Sequence, residues 1–208
     1  MQQANEYADA TLTLLAALFL ASGVSALIYQ VAWQRILFVA FGVDLESVTI
    51  VVAAFMLGLG LGALLGGMAA DTWPEQSLNL FALAEMGIGL FGLFSPNLLL
   101  WAGMHFSGLS LPGMAAVSFV LVLFPTLLMG ATLPILITYV AKLWQHVGRA
   151  TAYLYAINTL GASLGSLGVG FWLFNFMTVN EVVYLAASIN LTVAGLGFWR
   201  FRKGNLVN

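Results

Sequence analysis

One carboxylate stands out among the residues that could do chemistry. Glu85 lies about seven residues inside the apolar run 78–104, which corresponds to roughly 10 Å of depth at 1.5 Å per helical residue. A carboxylate in hydrocarbon costs several kcal/mol and is retained only where it has partners. Ser22, Thr132 and Asn158 reach a similar depth in other apolar runs. Two interpretations stay open: the four satisfy one another inside a bundle, or they form a small polar pocket, facing the cytoplasm, for a cationic or amide-bearing ligand.

Other catalytic or metal-binding chemistry is not indicated. The chain contains no cysteine, which excludes thiolate catalysis, disulfides and cysteine-based metal sites. His105 and His146 fall in predicted loops on opposite faces of a membrane, too far apart to share one ion. The sequence has no Walker loop, Rossmann glycine pattern or hydrolase elbow. We therefore expect a non-enzymatic protein without catalytic residues, metal or cofactor, and without a nucleic-acid partner.

The elements that must position Glu85 are predicted to be membrane-spanning helices. Hydrophobic residues make up 62% of the chain and charged residues only 7%, whereas a soluble domain is about one quarter charged. Runs of about 20 apolar residues suffice to cross roughly 30 Å of hydrocarbon. Six spans are predicted, at 11–40, 48–70, 78–104, 114–141, 150–177 and 182–199. The fold class is thus an all-α integral membrane protein, with a short segment 1–10 before the helices and a basic tail 200–208 after them.

The distribution of basic residues predicts the orientation. An even number of spans places both termini on one side, and basic residues are retained in the cytoplasm. Five of the six basic residues fall on that side, namely Lys142, Arg149, Arg200, Arg202 and Lys203. Both termini are therefore expected to be cytoplasmic.

Aromatic and basic residues at span ends are typical anchors in the headgroup region. Two groups fit this description: Trp33 and Arg35 near the end of the first span, and Trp199, Arg200, Arg202 and Lys203 at the end of the last.

Glycines repeat at four-residue intervals in two of the spans. They are Gly58, Gly62 and Gly66 in the second span, and Gly161 and Gly165 in the fifth. Such small-xxx-small faces let another helix approach closely. The partner helix belongs either to the same chain or to a second protomer or other membrane subunit, so the lipid bilayer, a homo-oligomer and other subunits are the expected partners.

Four segments carry a resemblance to a known family. They are 23–35 (GVSALIYQVAWQR), 54–71 (AFMLGLGLGALLGGMAAD), 127–134 (LLMGATLP) and 150–165 (ATAYLYAINTLGASLG). In this order they resemble the membrane domain of bacterial fused major facilitator and spermidine synthase-like proteins. The resemblance implies six helices arranged like one half of a major facilitator fold, in a bacterial inner membrane. It also implies that the second and fifth helices lie near a surface that this chain leaves open.

In that family a soluble aminopropyltransferase domain follows the membrane domain, and no residue of this sequence matches its nucleotide loop or catalytic aspartate. The first expectation is a membrane subunit or anchor of a larger assembly, with a separately encoded soluble domain docking on the cytoplasmic side and with a small amine as a further ligand. The second is a small-molecule transporter formed by a homodimer of six-helix halves. The third is the membrane component of an aminopropyltransferase-type enzyme whose catalytic domain is on another chain.

Overall fold

The computed structural model describes the backbone of residues 2–41, 44–106 and 108–204, and the side chains of residues 10–40, 48–106, 108–110 and 112–199. The described residues form six long helices: α1 Gln2–Phe41, α2 Asp44–Thr72, α3 Ser77–Phe106, α4 Leu111–Trp144, α5 Val147–Gly168 and α6 Val179–Gly204. A short 3₁₀ helix, Pro74–Gln76, precedes α3, and a π-helical segment, Val169–Leu173, with one further turn, Phe174–Phe176, follows α5.

All six long helices are long and apolar enough to cross a membrane, as the sequence predicts. A helix suits hydrocarbon because it satisfies every backbone N–H and C=O group within itself. The helices extend beyond the apolar runs, since α1 already begins at Gln2 and α6 continues to Gly204. Residues 2–10 and 200–204 are therefore helical continuations of the spans. Apolar composition marks the part that can lie in lipid and does not mark the helix ends.

Three helix pairings have the most extensive contacts: α2 with α4, α3 with α6, and α1 with α5. The contacts of α3 with α4 and of α1 with α6 join these pairs into one bundle. These contacts are related by an exchange of α1 with α4, α2 with α5, and α3 with α6. Under this exchange the α1–α5 contact corresponds to α4–α2, and the α3–α4 contact corresponds to α6–α1. The α3–α6 contact corresponds to itself. Ser25 and Thr132 repeat a local detail, because each stands two residues after a close-packed glycine and donates its hydroxyl to the carbonyl three residues earlier. These five contacts follow the pattern of an inverted repeat, whereas the α1–α3 contact has no counterpart of similar extent between α4 and α6 among the described residues.

The α2–α4 pair packs nearly backbone against backbone. A Cβ atom placed on any of three α2 glycines would collide with α4. These glycines and the residues they meet are Gly58 against Thr126, Gly62 against Leu127, and Gly66 against Ala131. Close approach of this kind replaces the hydrophobic drive that lipid cannot supply.

The α1–α5 pair uses the same device. A Cβ on Gly161 or Gly165 would collide with the carbonyl oxygens of Leu20 and Val24, respectively. The three glycines of α2 and the two of α5 that were selected from the sequence therefore all contact helices of their own chain. The alternative in which these glycine faces remain open for a second protomer is wrong, because α4 and α1 already cover them.

The glycine contacts predict a position-specific effect of alanine. Gly62→Ala should lower the free energy of unfolding by about 1–3 kcal/mol, because the new methyl group meets the backbone carbonyl of Leu127, which cannot move aside as a side chain can. Gly60→Ala is the matched control, because a Cβ there meets no atom within 4 Å. Thermal unfolding in detergent should show a lower midpoint for Gly62→Ala alone. Equal midpoints for the two variants would contradict the α2–α4 packing.

Candidate functional site

Glu85 on α3 is the central residue of a buried polar cluster. Its side chain is 0% exposed. One carboxylate oxygen accepts a hydrogen bond from Ser22 Oγ of α1 at 2.5 Å, and the other accepts one from Asn190 Nδ2 of α6 at 2.6 Å. Three helices that are distant in sequence are thus joined through one carboxylate. We refer to Glu85, Ser22 and Asn190 as the Glu85 cluster.

Small residues on α3 allow this meeting. Gly89 lies one turn after Glu85, and a Cβ there would touch the Leu191 side chain and the Ala187 carbonyl of α6. Gly92 lies one turn further on, and a Cβ there would collide with the Tyr29 ring of α1. The face of α3 that carries the carboxylate therefore lets both partner helices approach close enough for short polar side chains to reach it.

The hydrogen-bonding capacity of the cluster is only partly used. A carboxylate offers about four lone-pair sites, and two donors occupy sites on Glu85. Within the described residues, the buried Asn190 Oδ1 and Tyr29 hydroxyl oxygen have no hydrogen-bond partner. An unsatisfied buried polar group costs about 1–3 kcal/mol. The cluster can therefore accept further hydrogen bonds from a small donor such as water or an ammonium group.

Glu85 has no basic partner among the described side chains. The ion pair that the structure describes joins Lys142 to Glu75 at 2.8 Å, and both side chains are substantially exposed, at 47% and 89%. Hydrogen bonds from Ser22 and Asn190 stabilise the carboxylate instead. Such a site suits a proton or a cationic group better than an anion, because no positive charge faces it.

An aromatic and polar column continues from the cluster between α1 and α3. Tyr29 stacks on Trp33, with ring centroids 4.7 Å apart and planes at 22°. Trp33 Nε1 donates to Ser95 Oγ at 2.8 Å, and Ser95 Oγ donates to the Gly92 carbonyl at 3.0 Å. The prediction of Trp33 as a headgroup anchor is wrong, because its ring is 0% exposed and its N–H is satisfied inside the bundle.

Two other predicted anchors lie within the described residues. The exposed Arg35 places its guanidinium carbon 3.9 Å from the centroid of the Phe174 ring. Trp199, near the end of α6, is 61% exposed. The side chains of Arg200, Arg202 and Lys203 lie outside the described residues.

Of the four predicted site residues, two meet in the structure, namely Glu85 and Ser22. Thr132 Oγ1 instead donates to the Met129 carbonyl of its own helix at 2.7 Å. Asn158 Nδ2 donates across to the Phe19 carbonyl of α1 at 3.2 Å. Each of these two residues satisfies a backbone carbonyl rather than the carboxylate.

The sequence interpretation missed Asn190, although a signal for it exists. Asn190 is an amide well inside the apolar run 182–199, and it is 1% exposed. The same depth argument that selected Asn158 applies to it. Within the described residues, no group of three His, Cys, Asp or Glu side chains lies close enough to hold a metal ion.

The Glu85 cluster predicts energetic coupling between α3 and α6. Glu85→Leu leaves the Asn190 amide buried without its acceptor, and Asn190→Leu removes one of two donors from the carboxylate. The double variant should be more stable than the sum of the single effects implies, with a coupling energy of about 1–3 kcal/mol.

The control pairs Glu85→Leu with Ser188→Ala. Ser188 is exposed on the same helix, and its hydroxyl donates to the carbonyl of Leu185. This pair should be additive within about 0.5 kcal/mol. Additivity of the Glu85 and Asn190 substitutions in equilibrium unfolding would mean that their hydrogen bond contributes nothing to the fold.

Comparison with known proteins finds one similarity that covers most of the chain. A polyamine aminopropyltransferase from Oceanobacillus iheyensis is 23% identical over 180 residues, which are 86% of this chain and 34% of that protein. The chain thus spans about a third of the length of the curated relative it matches. No protein-family model and no solved structure matches the chain.

Proposed function

We propose that this chain is a non-enzymatic, multi-pass membrane module that serves as the membrane subunit or anchor of an aminopropyltransferase-type assembly. The observation that carries the proposal is the alignment, which takes in 86% of this chain and only 34% of the polyamine aminopropyltransferase. The aligned part of this chain consists of membrane-spanning helices. On this proposal the helices supply location in the bilayer, and the transfer chemistry belongs to a separate soluble domain.

The composition of the buried cluster supports a role without catalysis. Glu85 is held by a hydroxyl and an amide, and neither Ser22 nor Asn190 is a base at neutral pH. A group that acts in acid–base or nucleophilic catalysis must come within hydrogen-bond reach of a substrate. All three side chains are also sealed from solvent, with exposures of 0%, 6% and 1%.

The helix pairing supports a bundle built like one half of a major facilitator protein. The five most extensive helix contacts are exchanged into one another when the first three helices are exchanged with the last three. Transporters with inverted repeats place ligand sites near the middle of the membrane, between the repeats. The Glu85 cluster joins α1 and α3 of the first repeat to α6 of the second.

A small amine is the ligand that the Glu85 cluster would accept. When the carboxylate is ionised it has no basic partner among the described residues, and the Asn190 amide oxygen has unused capacity as an acceptor. An ammonium group donates three hydrogen bonds and compensates the charge. Because Glu85 is fully buried, binding requires the helices around it to move apart.

A transporter formed by two copies is the second candidate. It is favoured by the exposure of two helices. Within an 18-residue apolar stretch of each span, 28% of the residues in α2 and 17% in α5 are buried, compared with 44–50% in the other spans. A six-helix half needs an opposing wall to enclose a cavity for alternating access.

Purification after mild detergent extraction tests the subunit role. We expect the full protein to copurify at a fixed stoichiometry with a soluble aminopropyltransferase-type domain, identified by mass spectrometry. An unrelated polytopic protein with the same tag controls for adhesion to detergent micelles. A pure homodimer would favour the transporter instead, and a monomer without a partner would overturn both.

Ligand-induced stabilisation tests the amine. Spermidine should raise the unfolding midpoint of the wild-type protein, because a ligand at 100 times its Kd adds about 2.7 kcal/mol to stability. Glu85→Gln should abolish this shift, because it removes the charge while keeping the shape of the side chain. Glu75→Gln is the matched control, because Glu75 is an exposed acid paired with Lys142, and it should keep the shift. Equal shifts in both variants would show that spermidine acts elsewhere.

A further inference from the structure

A second site lies at the end of the bundle where α4 ends and α5 begins. An open groove of about 640 Å³ separates this turn from the first part of α1. We name it the Arg149 groove. Its lining residues are Leu12, Thr13, Trp144, Arg149, Ala152 and Tyr153.

The cationic side chain of the groove, Arg149, lies against an aromatic pair. The guanidinium carbon of Arg149 lies 4.8 Å from the centroid of the Trp144 ring. Trp144 in turn meets Tyr153 edge to face, with centroids 5.1 Å apart. The planar fork of N–H groups of a guanidinium can bind two oxygens of a phosphate at once.

The charge of Arg149 is not used inside the described part of the chain. No carboxylate there forms an ion pair with it, whereas Lys142, near the end of α4, is paired with Glu75 at 2.8 Å. Among the described side chains, the positive charge of Arg149 is therefore uncompensated. A ligand that fills the groove should bring a negative group.

The position of the groove indicates what carries that group. Trp144 is the last residue of α4, and Arg149 lies in the first turn of α5, so both are at the ends of membrane spans. Tryptophan and tyrosine prefer the boundary between headgroups and hydrocarbon. Leu12 and Ala152 add an apolar part to the lining. A phospholipid combines a phosphate group with hydrocarbon chains and therefore matches both parts of the lining.

We propose that the Arg149 groove binds the headgroup of an anionic phospholipid, with the Arg149 guanidinium on the phosphate and the Trp144 and Tyr153 rings beside the glycerol region. The site is separate from the Glu85 cluster and does not depend on the function proposed above. It would hold the turn between α4 and α5 at the membrane surface.

Native mass spectrometry of the full protein, titrated with phosphatidylglycerol or phosphatidylcholine, tests the site. Wild-type protein should retain phosphatidylglycerol in preference to phosphatidylcholine. Arg149→Ala should weaken phosphatidylglycerol binding by roughly 10-fold or more, the effect of losing one charge-assisted hydrogen-bonded contact. Arg149→Lys should rescue it only in part, because lysine keeps the charge but lacks the planar fork.

Lys142→Ala is the matched control, because it removes a cation near the same end of the bundle that is already paired. It should leave lipid binding unchanged. Thermal unfolding of Arg149→Ala should match the wild type, because this side chain is exposed. Equal lipid retention in Arg149→Ala and wild type, or equal retention of the two lipids by the wild type, would overturn the proposal.

A competition experiment separates a lipid from a soluble phosphate ligand. Glycerol 3-phosphate offers the same phosphate chemistry without acyl chains. We expect an excess of it to leave bound phosphatidylglycerol in place. Complete displacement would show that the groove recognises a soluble phosphate compound, and it would overturn the assignment to a lipid.

Discussion

The exclusion of water from the Glu85 carboxylate is the constraint on which the centre of this bundle depends. A charged or strongly polar group in hydrocarbon must find its partners inside the protein. Glu85 finds them on two other helices, in Ser22 and Asn190. Both partners have short side chains, so α1 and α6 must approach α3 closely. Gly89 and Gly92 make that approach sterically feasible.

The other helix pairs obey the same rule with weaker polar groups. Thr126 Oγ1 of α4 lies 3.2 Å from the Ala54 carbonyl oxygen of α2, and two carbonyl oxygens of α4 lie nearer to it. Asn158 of α5 donates to the Phe19 carbonyl of α1 at 3.2 Å. Each of the three main pairs thus combines close-packed glycines with at least one polar contact between helices. Lipid provides no hydrophobic drive for helix association, so packing and such bonds must hold the helices together. The polar contacts between helices are therefore distributed over all three main pairs.

The two candidate ligand sites differ in what access to them requires. The Glu85 cluster is sealed, so an amine reaches it only when helices move apart. The Arg149 groove is open at one end of the bundle and needs no rearrangement. A ligand at the first site would therefore be coupled to the conformation of the bundle. A lipid at the second would fix the turn between α4 and α5 without changing the core.

The sequence by itself determined the six spans, the depth of Glu85 and its need for partners. These properties depend on distance along a helix, which residue counting measures directly. Only the tertiary structure decided that Asn190, rather than Thr132 or Asn158, reaches the carboxylate. It also decided that the Trp33 indole N–H bonds to Ser95 inside the bundle, and that the five repeating glycines of α2 and α5 face α4 and α1. The physical reason is that rotation about each helix axis and the choice of neighbouring helix follow from packing of the whole bundle, and in a helix that is apolar on every side the sequence pattern does not reveal them.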